Sequence, residues 1–391
     1  MLGSGPAAMG RRGDPMATLS LARSTLLHEW RRFLAAGLAV TFAGLLLLVQ
    51  LGLLLGLFRD VSVMVDQSSA DAWVGFRGLQ SVDEGRPVSE AVPALVLNRP
   101  EVARLEALYL AQGEWRKPDG TKSFASVQGV DPGPDGMGFA RLLTPGLRER
   151  LRIPGGVLLD EADLARMGAE VGGNYELNGQ RAVVVGTVRG IRGTGMVNLL
   201  ASQATARGFS QPRDQVPSYY LVRLRPGGDP AALRAALEAD GARRSFEVYP
   251  SGPFSASSQR FWLLESGAGL GTLFSVLMGL FVGAAITSQV LMATVLANVR
   301  EYATLRALGV TMGSLRKVVL EQSAWIGGAG LATTLVAVQV LRPLAGRFHV
   351  PFSVPVWGYL LTAALVGAIA LGSGLVALRG LRSADPGSLL R

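Results

Sequence analysis

The sequence predicts an α-helical membrane protein with four transmembrane helices and a large extracytoplasmic α+β domain inserted between the first and second. Three observations carry this. Hydrophobic residues make up 49% of the chain and mean hydropathy is +0.32, but the apolar residues fall in blocks separated by ordinary charged sequence. Membrane spans beside a soluble domain have this texture. Between residues 72 and 249, short apolar runs alternate with turn signals, as strands and hairpins do. The excess positive charge, finally, sits beside the apolar blocks: of a net +9, only +1 falls within 59–260 and +8 elsewhere.

That last point answers the question raised by a pI of 10.4. Basic residues flanking spans are explained by membrane orientation, so no nucleic-acid partner is expected.

In chain order, residues 1–16 are Gly/Pro-rich and read as a disordered tail, with Met16 a second candidate start. In 17–33, Leu19, Ala22, Leu26, Trp30 and Phe33 recur at helical spacing, with Arg23, Glu29, Arg31 and Arg32 on other faces. This describes a cytoplasmic amphipathic helix at a membrane interface; an inward extension of the first span fits equally. Residues 34–58 are uncharged and Leu-rich. At ~1.5 Å per residue they exceed the ~30 Å hydrocarbon core and form the first span.

Residues 59–262 form the α+β domain. A strand is expected over 72–76, then a hairpin of 102–115 and 121–130 around Pro118-Asp119-Gly120. A strand at 157–159 precedes a short helix over 161–167. A second hairpin joins 175–177 to 182–188 through Asn178-Gly179, a pair that accepts the positive φ of a tight turn. Residues 190–217 read as loop-rich. A strand at 219–224, a helix capped by Asp229 and running to Ala239, and a strand at 246–249 complete the domain. Three further spans follow at 263–297, 322–341 and 356–378, the last starting beyond Pro351 and Pro355. A cytoplasmic loop (298–321), a short outer loop (342–355) and a cytoplasmic tail (379–391) connect and end them.

Lys/Arg placement sets the orientation. With the N terminus inside, the inner segments hold 12 basic residues and the short outer loop only Arg342 and Arg347. Both termini are therefore expected in the cytoplasm and the large domain outside.

Catalytic and cofactor chemistry is missing from the inventory. The chain has no cysteine and only two histidines, so thiolate chemistry and His-based metal sites are not expected. Neither a phosphate-binding loop, a His-Glu-x-x-His nor a Gly-x-Ser-x-Gly occurs. Apart from Glu265 at an outer edge, the spans carry no Asp, Glu, Lys, Arg or His, which argues against an intramembrane protease or a proton-driven carrier. Gly52/Gly56, Gly267/Gly271 and Gly279/Gly283 have the four-residue spacing that lets helix backbones approach closely. They fit packing within one subunit and a dimer interface equally.

The informative segment lies between the second and third spans. Arg300-Glu301-Tyr302-Ala303-Thr304-Leu305-Arg306-Ala307-Leu308-Gly309 combines a charged entry, apolar residues at helical spacing and a glycine stop. Such a helix is too short to be stable alone and needs a surface to dock on. An ordinary basic loop is the plainer reading.

This decapeptide resembles the cytoplasmic signature of FtsX-like, MacB-type ABC transporter permeases, and the order of spans and outer domain resembles theirs too. Residues 33–58, followed by Asp66 and Ala70-Asp71-Ala72-Trp73-Val74, are most similar to the DevC branch of exporter permeases. No ATPase domain is fused. The resemblance implies a MacB-like periplasmic core, with 59–131 and 217–260 in one lobe and 132–216 inserted as the other. It also implies a non-catalytic permease subunit in a bacterial inner membrane, acting as a homodimer with a separate ABC ATPase that holds ATP and Mg. Arg300, Glu301, Tyr302, Thr304, Leu305, Arg306, Leu308 and Gly309 would form the ATPase-coupling helix. A periplasmic membrane-fusion adaptor and an outer-membrane duct would complete an exporter. A signalling permease that regulates a periplasmic enzyme shares the fold, and a membrane-anchored binding module without an ATPase is a third reading.

Overall fold

The computed structural model describes residues 30–193, 196–210, 215–239, 245–297, 304, 310–347 and 352–382. They divide into two compact units. One holds the described residues of Met1–Gly52, Phe274–Pro343 and Val354–Arg391; the other holds Leu53–Leu273 and Leu344–Ser353.

The first helix, α1, runs Trp30–Asp66. It continues past the expected end of the first span because no glycine or proline stands between Leu57 and Asp66 to stop it. Val63, Met64 and Val65, in its last turns, are core residues of the α+β unit.

That unit is built on one long strand. After β1 (Ala72–Phe76) and a short helix α2 (Val92–Leu97), β2 runs Val102–Arg116. Next come β3 (Lys122–Val130), α3 (Pro145–Leu151), β4 (Gly156–Asp160), α4 (Leu164–Met167), β5 (Asn174–Leu177) and β6 (Gln180–Val188). The last elements are β7 (Val197–Ser202), α5 (Gln203–Phe209), β8 (Tyr219–Leu224), α6 (Pro230–Ala239), β9 (Phe246–Pro250) and α7 (Ser251–Leu264). The first half of β2 pairs with β8, which pairs with β1 and then β9, all antiparallel. Its second half pairs with β3 and, at Trp115 and Arg116, with β5. The pairings β3–β7, β7–β4, β4–β6 and β6–β5 then return to β2, so six strands close on themselves.

Side-chain alternation assigns the cores. On β2, Tyr109, Ala111 and Trp115 point inside the six-strand ring, with Ala125 and Val127 of β3 and Val197, Leu199 and Ala201 of β7. The other face of β2 carries Leu108, which joins Val130, Leu200, Trp73 and Tyr219. Trp73 meets Tyr219 edge-on at 5.3 Å. The far face of β1 and β8 packs Val74 and Val222 against Val92, Val96, Leu233 and Leu237 of α2 and α6.

Within the α+β unit two expectations change. The stretch expected to be loop-rich, 190–217, contains β7 and α5. All six residues of β7 are buried, because it lies between β3 and β4, so it lacks the apolar–polar alternation by which strands are recognised. The lobe boundary differs as well. β3 and Tyr109–Arg116 of β2 belong with the strands of 132–216, because the ring must close through them.

The membrane unit adds α8 (Ala268–Ala297), α9 (Met312–Arg347) and α10 (Val356–Arg382). With α1 these are four helices long and apolar enough to cross a membrane by length and composition, and the mixed α/β domain lies between the first and second.

Candidate functional site

Of the segment read as a coupling helix, Arg300, Glu301, Tyr302, Leu305, Arg306, Leu308 and Gly309 lie outside the described residues. Thr304 is described; it is helical and exposed. The segment joins the end of α8 at Ala297 to the start of α9 at Met312, where the backbone N–H of Ser314 donates to the Thr311 hydroxyl at 3.3 Å.

The glycine pairs separate. A Cβ at Gly279 would run into Leu46 of α1, and one at Gly283 would meet the Cβ of Ala43 at 3.0 Å, so this pair faces the first helix of the same chain. Gly267 has φ +74°, a left-handed turn between α7 and α8 that favours glycine. A Cβ there or at Gly271 would meet open space. Gly52 and Gly56 are buried.

A second set of contacts has no such spacing signature. A Cβ at Gly44 would come 2.7 Å from the Thr334 hydroxyl, and one at Gly330 would come 2.6 Å from Val40. At this close approach of α1 and α9, Thr334 donates to the Thr41 carbonyl at 3.1 Å and Thr41 to the Gly330 carbonyl at 3.3 Å. Ser288 of α8 and Ser373 of α10 share a hydrogen bond of 2.7 Å. Small residues and hydroxyls hold helices together where both faces are apolar. The signal for them in sequence is a glycine on one span and a Thr or Gly on another, and no local spacing reveals the pairing.

In the α+β unit, charged groups tie the loop after β3 to the sheet. Glu106 is only 4% exposed, and its carboxylate accepts the backbone N–H groups of Met137, Gly138 and Asp131. Burial pushes its pKa up, against these hydrogen bonds, which pull it down. Arg148, also buried, donates to the carbonyls of Asp131, Gly133, Gly136 and Leu143. Asp66, at the end of α1, accepts from Ser62 at 2.6 Å and from Ser255 of α7 at 2.7 Å. Asp71 accepts the Leu224 N–H at 2.7 Å. The residues behind the DevC resemblance thus hold the fold.

The same unit contains a cavity of about 460 Å³ bounded by the end of α1, the turn after β1, α7 and one face of β2, β3 and β7. Register places Gln112, Ser126 and Asn198 in one row across the three strands, with Leu110, Gln128 and Leu200 in the next. This face is core further along, at Leu108 and Val130, and turns polar at the cavity. Asp60, Val61, Met64, Asp83 and Trp262 stand around the strands. Trp262 Nε1 donates to Asp83 Oδ1 at 3.1 Å. Among the described residues no group of three His, Asp or Glu side chains is placed to hold a metal ion.

Fold and sites together define a polytopic membrane protein whose helical bundle is interrupted by an α+β unit with its own cores. Residues 273–386 match the family described as FtsX-like permease C-terminal. No curated protein matches the sequence. Among solved structures, the chain is similar to the periplasmic region of MacB from Actinobacillus actinomycetemcomitans, at 14% identity and a TM-score of 0.34, covering 49% of this chain and 94% of that one. It is also similar to a domain of a putative permease protein from Porphyromonas gingivalis, at 19% identity and a TM-score of 0.32, covering 46% and 89%. A third is the extracellular domain of the noncanonic ABC-type transporter YknZ from Gram-positive bacteria, at 11% identity and a TM-score of 0.32, covering 45% and 97%.

Proposed function

We propose that this chain is the permease subunit of an ABC-type exporter, working as a homodimer with a separate cytoplasmic ATPase that binds ATP and Mg. The observation that carries the reading is the FtsX-like match over 273–386, which encloses the segment 300–309. In this reading the segment docks on the ATPase through Tyr302, Leu305 and Leu308, and Arg300, Glu301 and Arg306 set its orientation by charge. The protein lies in a bacterial inner membrane with both termini in the cytoplasm, as the basic bias supports. The α+β unit works outside, beside a periplasmic adaptor and an outer-membrane duct. The chain contributes movement and no catalytic residue.

The test is copurification. Interfaces concentrate their energy in a few buried anchors, so replacing Tyr302 and Leu305 by Ala removes ~2 kcal/mol or more from docking. The double variant should insert normally, lose the copurifying ATPase and lose export. Normal copurification with intact export would reduce the segment to a basic loop.

A further inference from the structure

The cavity in the α+β unit has features that packing does not explain. Gln128 is 2% exposed and sits on β3, opposite Leu110 and beside Leu200, where an apolar residue would continue the core. Its Oε1 is buried without a hydrogen-bond partner. A buried amide oxygen without a partner lowers stability, so packing alone does not explain a glutamine here. Gln128 lines the cavity, and its amide, turned toward the cavity, can offer a bound molecule a donor or an acceptor.

The lining also has a sign. Asp60 and Asp83 are its charged residues, and no Lys or Arg lines it among the described residues. Asp83 is exposed, and the hydrogen bonds from Ser81 and Trp262 both go to its Oδ1. Arg59 and Arg192 stand near Asp60 and offset part of its charge, so Asp83 is the main electrostatic anchor. Val61, Met64, Leu110 and the Trp262 ring supply apolar and aromatic surface. An aromatic face beside a carboxylate suits an ammonium group. The volume of about 460 Å³ lies in the range of small-molecule sites, roughly 300–1,000 Å³.

We propose that this cavity binds an amphipathic organic cation, with its ammonium group at Asp83, its apolar body along Met64, Leu110 and Trp262, and a hydrogen bond to Gln128. Binding does not depend on an ATPase. Only the further step, that such a cation is the exported cargo, rests on the proposed function.

The experiment uses the full chain in phosphatidylcholine nanodiscs, which carry no net charge, with empty nanodiscs as the blank. Berberine, a fluorescent organic cation, is titrated in, and the anionic dye 8-anilinonaphthalene-1-sulfonate serves as the charge control. The expected result is saturable berberine binding above the blank, with the anionic dye weaker. Asp83→Asn, at an exposed position, should weaken berberine about tenfold and narrow the preference for the cation. Gln128→Leu should also weaken it, without loss of thermal stability, because the orphan amide is gone. Ser126→Trp should fill the cavity and abolish binding. Binding no greater than to empty nanodiscs, equal binding of the anion, or wild-type affinity in Ser126→Trp would overturn the proposal. None of these results bears on copurification of an ATPase, so the two readings fail separately.

Discussion

Asn178 does two jobs at once. Its backbone takes φ 52°, and its side chain accepts the Glu114 N–H at 2.8 Å while donating to the Phe209 carbonyl at 2.8 Å and the Gln112 carbonyl at 3.2 Å. The turn was legible in the Asn-Gly pair, because few residues accept that φ. The three bonds were not, since their partners come from β2 and α5, far away in sequence. Asn178→Ala should cost about 1–3 kcal/mol and lower the unfolding temperature; an unchanged unfolding temperature would mean the bonds contribute nothing. Glu106 was equally silent, one acidic residue in a strand. Its pKa is raised above 4.5 by burial, so the folded state binds the proton more tightly than the unfolded one. The stability it contributes is fully present below pH 4.5 and is lost as pH rises through the folded value. Wild type should therefore lose ground against Glu106→Gln between pH 4 and pH 7, as read by urea unfolding. A margin that widens with pH would contradict this sign.

At the scale of elements, legibility followed the residues at the borders. β1, the β2–β3 hairpin and β8 have polar or turn residues at their borders and were read within a residue or two of the observed ends. β7, as buried as β1 and β8, was lost because it runs straight into α5 at Gln203 with no turn residue between them. The extension of α1 to Asp66 was lost because charge at Arg59-Asp60 marks the end of a span but does not end a helix. Among the spaced glycines, sequence could not say which touch a neighbour. Gly279 lies against Leu46 and Gly271 faces open space. Gly279→Leu should thus push α1 and α8 apart and cost about 1–3 kcal/mol, while Gly271→Leu should be nearly neutral. Thermal unfolding of both variants in one detergent decides it; equal loss from both would refute the packing described.

For the whole molecule, the three cores of the α+β unit draw on residues from Val63 to Phe254. A chain limited to residues 59–262 keeps all of them and should be soluble and unfold cooperatively, as calorimetry would show. Cutting at residue 67 instead removes Val63, Met64 and Val65 and should destabilise it. The orientation of the chain is the claim on which the permease reading depends, and the lack of native cysteine makes it directly measurable. Phe124, on β3, is 70% exposed, and Thr304, in the segment after α8, is exposed as well. Single cysteines at these two positions, treated in cells with an intact inner membrane by an impermeant thiol reagent, report the two sides at once. Position 124 should label in intact cells, and position 304 only after the membrane is broken. Labelling at 304 in intact cells, or protection at 124, would contradict it.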